Sequence, residues 1–341
     1  MDFHIRSMFR ALCLAASTLV LPTAWAGLLP NYPAMVVFGD SLSDTGNDFI
    51  STTAQNMVPA IPPSVTPYAT YWKGHFTNGP VAVEYLWRLL GRKNSNEVVP
   101  SVTSPSLEKG GVSFAFGGSA SGLSNLTPSG FPVPGLLGQV GLYTNALGGK
   151  KANPNALYTV WTGSNDYLQN ITGSPYVVVG NIAQAIRTLY ALGARDFMVP
   201  NLPNLGNTPL INAQGLSVQF TQLSKDHNAL LESTLTGLSA SLPKARFIRV
   251  DVYALGEALI SSGLVSADMP AIEYLSPGTG AADCLFRNPA TCVDVTQTGY
   301  LPPFLFWDVL HPTTQVHGAI GTAMFVALVK REKKDRGEKN D

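Results

Sequence analysis

Four short clusters in this sequence hold the residue types that acyl transfer requires. That chemistry needs a nucleophile, a base, a group that orients the base, and donors for the developing oxyanion. In Val36-Val37-Phe38-Gly39-Asp40-Ser41, a serine hydroxyl follows an apolar run and a flexible glycine. In Asp308-Val309-Leu310-His311-Pro312, a carboxylate stands three residues before an imidazole. That spacing lets Asp308 hold one ring nitrogen while the other faces Ser41. Gly117-Gly118 lets backbone N–H groups approach a substrate closely, because no Cβ intervenes. Asn165, after Gly163-Ser164, can aim its amide at an oxyanion. Each cluster also has an ordinary reading. Gly-Asp-Ser is a common helix-capping turn, His311 could cap a helix begun by Pro312, and the Gly and Asn residues suit tight turns.

The elements that must position these residues can be read from hydrophobic pattern. Ala34–Phe38 and Ala156–Trp161 read as short buried strands, and Val112–Phe116, Asp196–Val199 and Arg246–Val250 as further short strands. Val81–Leu90, Leu136–Leu147, Tyr176–Leu192, Leu216–Leu242 and Val252–Ile260 read as helices, and His311–Val329 contains a last one. Asn56–Tyr71 and Ser119–Pro134 read as loops rich in Pro, Gly, Ser and Thr. Strands alternating with helices predict a parallel sheet covered by helices on both faces. Ligand sites in such sheets lie beyond the carboxyl ends of the strands. Three of the clusters, at Ser41, Gly117-Gly118 and Asn165, fall at expected strand ends.

Composition narrows the classes. The 341 residues are 45% hydrophobic and 13% charged, with a formal net charge of +0. No clustered basic surface of the kind nucleic acid requires is evident. Arg6 and Arg10, the apolar run Ala11–Leu21 and the small-x-small site Ala24-Trp25-Ala26 form a secretory signal pattern over residues 1–26. The apolar run is shorter than the roughly 20 residues needed to span a bilayer. A secreted chain, extracellular or periplasmic, beginning near Gly27 is therefore expected. It would comprise one domain over 27–330 and a charged tail over 331–341. The two cysteines left after signal removal, Cys284 and Cys292, are expected to form a disulfide in an oxidising compartment, the alternative being two buried thiols. No His stands beside them at metal-ligand spacing. Their loop shortly precedes Asp308 and could gate a site.

The motifs together resemble the GDSL lipases/esterases, or SGNH hydrolases, over roughly Tyr32–Val329. Phe38-Gly39-Asp40-Ser41-Leu42-Ser43-Asp44-Thr45-Gly46-Asn47 matches the first family block. Phe114-Ala115-Phe116-Gly117-Gly118 looks like the second, Gly163-Ser164-Asn165-Asp166 like the third and Asp308-Val309-Leu310-His311-Pro312 like the fifth. The resemblance implies a three-layer α/β/α sandwich around a flavodoxin-like, five-stranded parallel sheet. It implies Ser41, Asp308 and His311 as catalytic residues, and Ser41, Gly118 and Asn165 as the oxyanion hole. It implies no cofactor and no metal. Gly74-His75-Phe76-Thr77-Asn78-Gly79-Pro80 and the cysteine loop are similar to exported bacterial phospholipase A, lysophospholipase and glycerophospholipid–cholesterol acyltransferase members, a resemblance that makes this loop a candidate for protease trimming that raises activity. That points to an ester or phospholipid substrate, met at a membrane surface, and the Pro-rich loops are candidates to line an acyl pocket. Transfer to a sterol or other alcohol, deacetylation of carbohydrate, and a secreted binding protein on the same fold are the competing readings. His75, His227 and His317 match no catalytic block and are expected to be structural or surface residues.

Overall fold

Alternate residues of the first strand point to opposite faces of one sheet, and each face carries its own apolar core. The computed structural model describes residues 32–66, 70–91, 97–275, 284, 292–293, 303–335 and 337. The expected signal segment lies outside these. In chain order the strands are β1 (Ala34–Gly39), β2 (Val98–Pro100), β3 (Gly110–Ser113), β4 (Ser124–Leu126), β5 (Pro132–Pro134), β6 (Leu157–Trp161), β7 (Asp196–Pro200) and β8 (Arg246–Val250). The helices are α1 (Asn47–Ala54), α2 (Ala82–Leu89), α3 (Leu136–Ala146), α4 (Ser164–Leu168), α5 (Pro175–Leu192), α6 (Pro209–Ala213), α7 (Ser217–Ser241), α8 (Val252–Ser261), α9 (Ala271–Leu275) and α10 (Thr314–Asp335).

The main sheet has six strands in the order β2-β3-β1-β6-β7-β8, every neighbouring pair parallel. β1 is central and entirely buried. Its Val36 and Phe38 pack with Tyr158, Phe197 and helices α3, α5 and α7. Met35 and Val37 pack with Leu157, Met198 and helices α2 and α10. Two helical layers thus enclose the sheet. From β1 the chain moves outward to β2 and β3, then returns to β6 on the other side of β1. The strand order therefore reverses at the β1–β6 boundary, where such folds open a crevice.

Several expectations need correction. The sheet has six strands rather than five. The addition is β2, a three-residue edge strand ending in Pro100. It is too short to show alternation, and its proline is tolerated at a sheet edge. β3 starts at Gly110 and stops at Ser113, earlier than Val112–Phe116. The Asn47 side chain takes the carbonyls of Ser113 and Ala115 at 2.8 and 2.9 Å, diverting that segment from the ladder. The Ser119–Pro134 segment contains an antiparallel hairpin, β4–β5. α10 continues past residue 330 to Asp335 rather than giving way to a solvated tail. Glu332 is buried there and pairs with Arg246, which also pairs with Asp196 on β7. No described helix is long and apolar enough to cross a membrane.

Candidate active site

Ser41 stands two residues past β1, and the turn that carries it is held by side chains from elsewhere. Gln139 on α3 accepts from the Gly39 N–H at 2.9 Å and donates to the Gly39 carbonyl at 2.8 Å. A Cβ on Gly39 would meet the Trp161 carbonyl oxygen at 2.4 Å, so only glycine lets the ends of β1 and β6 approach this closely. Beyond it, the Asp40 carbonyl accepts from Ser43 and Asp44 N–H groups, closing the turn. The Asp40 side chain accepts from the Leu42 N–H, and burial pushes its carboxyl up to about 7.

Asp308 and His311 sit on a tight loop bracketed by a bridge between Phe306 and Pro312. His311 Nε2 lies 2.8 Å from Ser41 Oγ, and His311 Nδ1 lies 2.7 Å from Asp308 Oδ2. All three residues are buried. Asp308 Oδ1 accepts from the Leu310 and His311 N–H groups at 2.8 and 2.7 Å, and Oδ2 also accepts from the Tyr71 hydroxyl at 2.8 Å. Burial alone would raise the Asp308 carboxyl. His311 and the backbone N–H groups outweigh it and hold the group below its ordinary value. The Phe76 ring flanks His311 at 5.3 Å between centroids.

The expected oxyanion donors lie across from this loop. Gly118 has φ +73°, and a Cβ there would also meet Thr127 Cγ2 at 2.8 Å. Its carbonyl accepts from Gln169 Nε2 at 2.7 Å and Asn125 Nδ2 at 2.9 Å, which orients the peptide. The Gly117 N–H donates to Asp44 Oδ2 and so is committed. The amides of Ser41 and Gly118 have no hydrogen-bond partner among the described residues. Asn165 is the second residue of α4, four positions past the end of β6. Its Nδ2 donates to the Ser119 carbonyl at 3.1 Å, leaving a second N–H on that nitrogen. Its Oδ1 accepts from Gln169 Nε2 at 3.2 Å. Asp166 anchors the same turn by accepting from the Ser121 N–H and hydroxyl.

Sequence reading overlooked Tyr71, Gln139, Gln169, Asp44 and Asn125. Gln169 had a local signal, since it stands four residues after Asn165 on one helical face. Tyr71 and Gln139 had none, because their partners are 237 and 100 residues away.

Two clefts meet at Ser41, Asn165 and His311. One, about 880 Å³ with its open mouth, is walled by aliphatic residues of α8 together with Leu42, Leu305 and Phe306. The other, about 1140 Å³ on the same measure, is lined by Gly117, Gly118, Thr127, Ser129, Gln169 and Phe76 among others. Of the two Pro-containing loops, the 56–71 segment contributes Ile61 and the 119–134 segment Thr127, Pro128 and Ser129 to the second cleft, while no described residue of either lines the aliphatic cleft.

Cys284 and Cys292 form a disulfide with Cα atoms 5.5 Å apart. Cys284 is buried in a cluster with Tyr71, Phe76 and Trp307. The segment between the cysteines, suggested as a gate, lies outside the described residues. His75, His227 and His317 are all buried. His75 faces Glu84 at 3.0 Å, His227 Nδ1 meets the Tyr167 hydroxyl at 2.8 Å, and His317 Nδ1 accepts from the Ala82 N–H. Among the described residues no group of three or more His, Cys, Asp or Glu is placed to hold a metal.

Parallel sheet, switch-point crevice and hydrogen-bonded Ser, His and Asp place this molecule among the α/β-sandwich hydrolases. The chain belongs to the GDSL-like lipase/acylhydrolase family, whose model matches residues 35–324, and it is a carboxylic ester hydrolase. A GDSL esterase/lipase of Arabidopsis thaliana is 31% identical over 322 residues, covering 85% of this chain and 89% of its own. Another from that plant is 26% identical over 365 residues, covering 94% and 97%. Among solved structures, a lipolytic G-D-S-L family protein of Veillonella parvula superposes with TM-score 0.41 at 12% identity, covering 87% of this chain and 96% of its own.

Proposed function

We propose that this chain is a secreted hydrolase of lipid acyl esters, of the lysophospholipase, phospholipase A or lipase type, acting through an acyl-enzyme on Ser41. The observation that carries the mechanism is the hydrogen-bonded sequence Ser41 Oγ, His311 Nε2, His311 Nδ1, Asp308 Oδ2, with distances of 2.8 and 2.7 Å. His311 takes the Ser41 proton as Oγ attacks the ester carbonyl carbon. The tetrahedral oxyanion is held by the Ser41 and Gly118 amides and the free N–H of Asn165. One such donor contributes about 2.7–4 kcal/mol to lowering the barrier. The alcohol leaves with the proton that His311 returns. Water then adds to the acyl-enzyme by the same route and releases the acid.

The lipid substrate is favoured by the aliphatic cleft beginning at Ser41, since each methylene of an acyl chain seated there is withdrawn from water. Secretion is favoured by the signal pattern of residues 1–26 and by the Cys284–Cys292 disulfide. Such a substrate would be met at a membrane surface. Ser41→Ala and His311→Ala should each lower hydrolysis of p-nitrophenyl butyrate at least about a thousandfold, with unchanged thermal unfolding. Parent-level turnover by either variant would defeat the mechanism. A panel of lysophosphatidylcholine, phosphatidylcholine and acetylated sugars tests the substrate class, and preference for acetylated sugars would displace the lipid reading. Mass spectrometry of the exported chain should find Gly27 at its N-terminus.

A further inference from the structure

α8 presents one face to the aliphatic cleft. Val252, Leu255, Gly256, Leu259 and Ile260 all line it. Their spacing of three, four, seven and eight residues is that of a single helical stripe. Beside the stripe, Glu257 accepts from the amides of Asn204 and Asn207 at 3.0 and 2.7 Å, and these two asparagines form a polar part of the same cleft's lining. Within the stripe, position 256 is the one without a side chain. A Cβ built there meets nothing within 4 Å. Packing therefore does not demand glycine. Glycine inside a helix is nevertheless less stable than alanine, because it loses more backbone freedom on folding. Gly141, Gly180 and Gly237 also sit in helices with open space around them, but none of them lines either cleft. At Gly256 alone, among these four, the open space is the cleft that leads to Ser41.

We propose that this cleft holds the acyl chain of the substrate, and that the gap at Gly256 sets how long a chain it accepts. The inference rests on the acyl-ester reading above and adds a direction to it. The fatty chain lies along α8, while the alcohol portion lies in the more polar cleft beside Gly118, Thr127 and Gln169. Each methylene seated against the aliphatic wall is withdrawn from water, so chain length is read as buried apolar area. A leucine at position 256 would project from the lining stripe into that space. Leu255, half-buried on the same stripe, offers the reverse change.

The test is the ratio of kcat/KM for p-nitrophenyl laurate to that for p-nitrophenyl butyrate. Gly256→Leu should lower this ratio at least about tenfold, Gly256→Ala should lower it less, and Leu255→Ala should move it upward. Gly256→Ala has room for its Cβ and a better helix former, so it keeps the test readable if the larger residue disturbs folding. Ratios unchanged in Gly256→Leu and Leu255→Ala, including equal loss on both esters, would overturn the proposal while leaving the ester hydrolase reading intact. If instead the parent hydrolysed neither ester and a fluorophosphonate probe failed to label Ser41, the acyl-ester reading would fall and this inference with it.

Discussion

Tyr71 and His311 both donate to Oδ2 of Asp308, while two backbone N–H groups occupy Oδ1. Four donors on one buried carboxylate keep it ionised and fix the plane in which it faces the imidazole. Tyr71 thus acts through Asp308 and does not touch the serine. Hydrogen bonds to charged groups contribute about 1.5–3 kcal/mol. Tyr71→Phe should therefore lower kcat about tenfold with little change in KM, because the lost contact orients the base and does not bind the ester. Kinetics on p-nitrophenyl butyrate check this, and a change confined to KM would contradict it. His311 and Asp308 are readable from their three-residue spacing. Tyr71 is not, since its distance along the chain conceals the contact.

At the level of elements, the serine turn depends on contacts between segments far apart in sequence. Gln139 projects from α3 and pairs with both polar groups of Gly39. Gln139→Leu keeps the volume but removes both partners. It should cost about 1–3 kcal/mol in stability for each buried backbone group left unpaired, and it should lower kcat by loosening the turn that carries Ser41. Chemical denaturation and steady-state kinetics measure the two effects separately. α1 shows the same dependence. Seven of its eight residues, Asn-Asp-Phe-Ile-Ser-Thr-Thr, are weak helix formers, and the sequence pattern predicts no helix there. Asp44 nevertheless accepts from the N–H groups of Gly46, Asn47 and Asp48 at its start, and from Gly117 across the site. One carboxylate both begins a helix and holds the oxyanion loop.

Across the whole molecule, buried titratable groups couple stability to pH. Burial lowers His227 to about 4 and His317 to about 3, with His311 and His75 adding to the latter. The folded protein keeps these rings neutral, whereas the unfolded chain protonates them below about 6.5. Their contribution is present above that value and is lost as pH falls toward the folded pKa. Asp40 and Asp44 oppose this. Burial raises them to about 7 and about 6, so the unfolded chain ionises first and stability is lost as pH rises from about 4 toward those values. His227→Gln isolates one contribution. The variant should be less stable than the parent at pH 7.5, and the gap should narrow by about 3 kcal/mol toward pH 4. Denaturant unfolding of both proteins over that range measures it, and a gap constant with pH would contradict the assignment.

Local chemistry made much of this protein legible in its sequence. Largely apolar runs of about five residues identify five of the six main strands; β1 and β6 are apolar-rich because both their faces are buried, whereas the edge strand β8 exposes Arg249. Glycine, asparagine and serine at their ends mark where the chain turns toward a crevice, and the Asp308–His311 spacing needs only one loop. Tertiary structure decided what depends on distant partners. The three-residue β2 has no periodicity to read, and the end of β3 is set by the amide of Asn47. Gln139 and Tyr71 act on residues 100 and 237 positions away. The aliphatic cleft exists only because α8 folds its Leu255–Gly256–Leu259 face against Leu305 and Phe306 beside Ser41. Hydrophobic pattern specifies which face of a helix turns inward. Whether that face meets packing or an open cavity depends on what the rest of the chain brings against it.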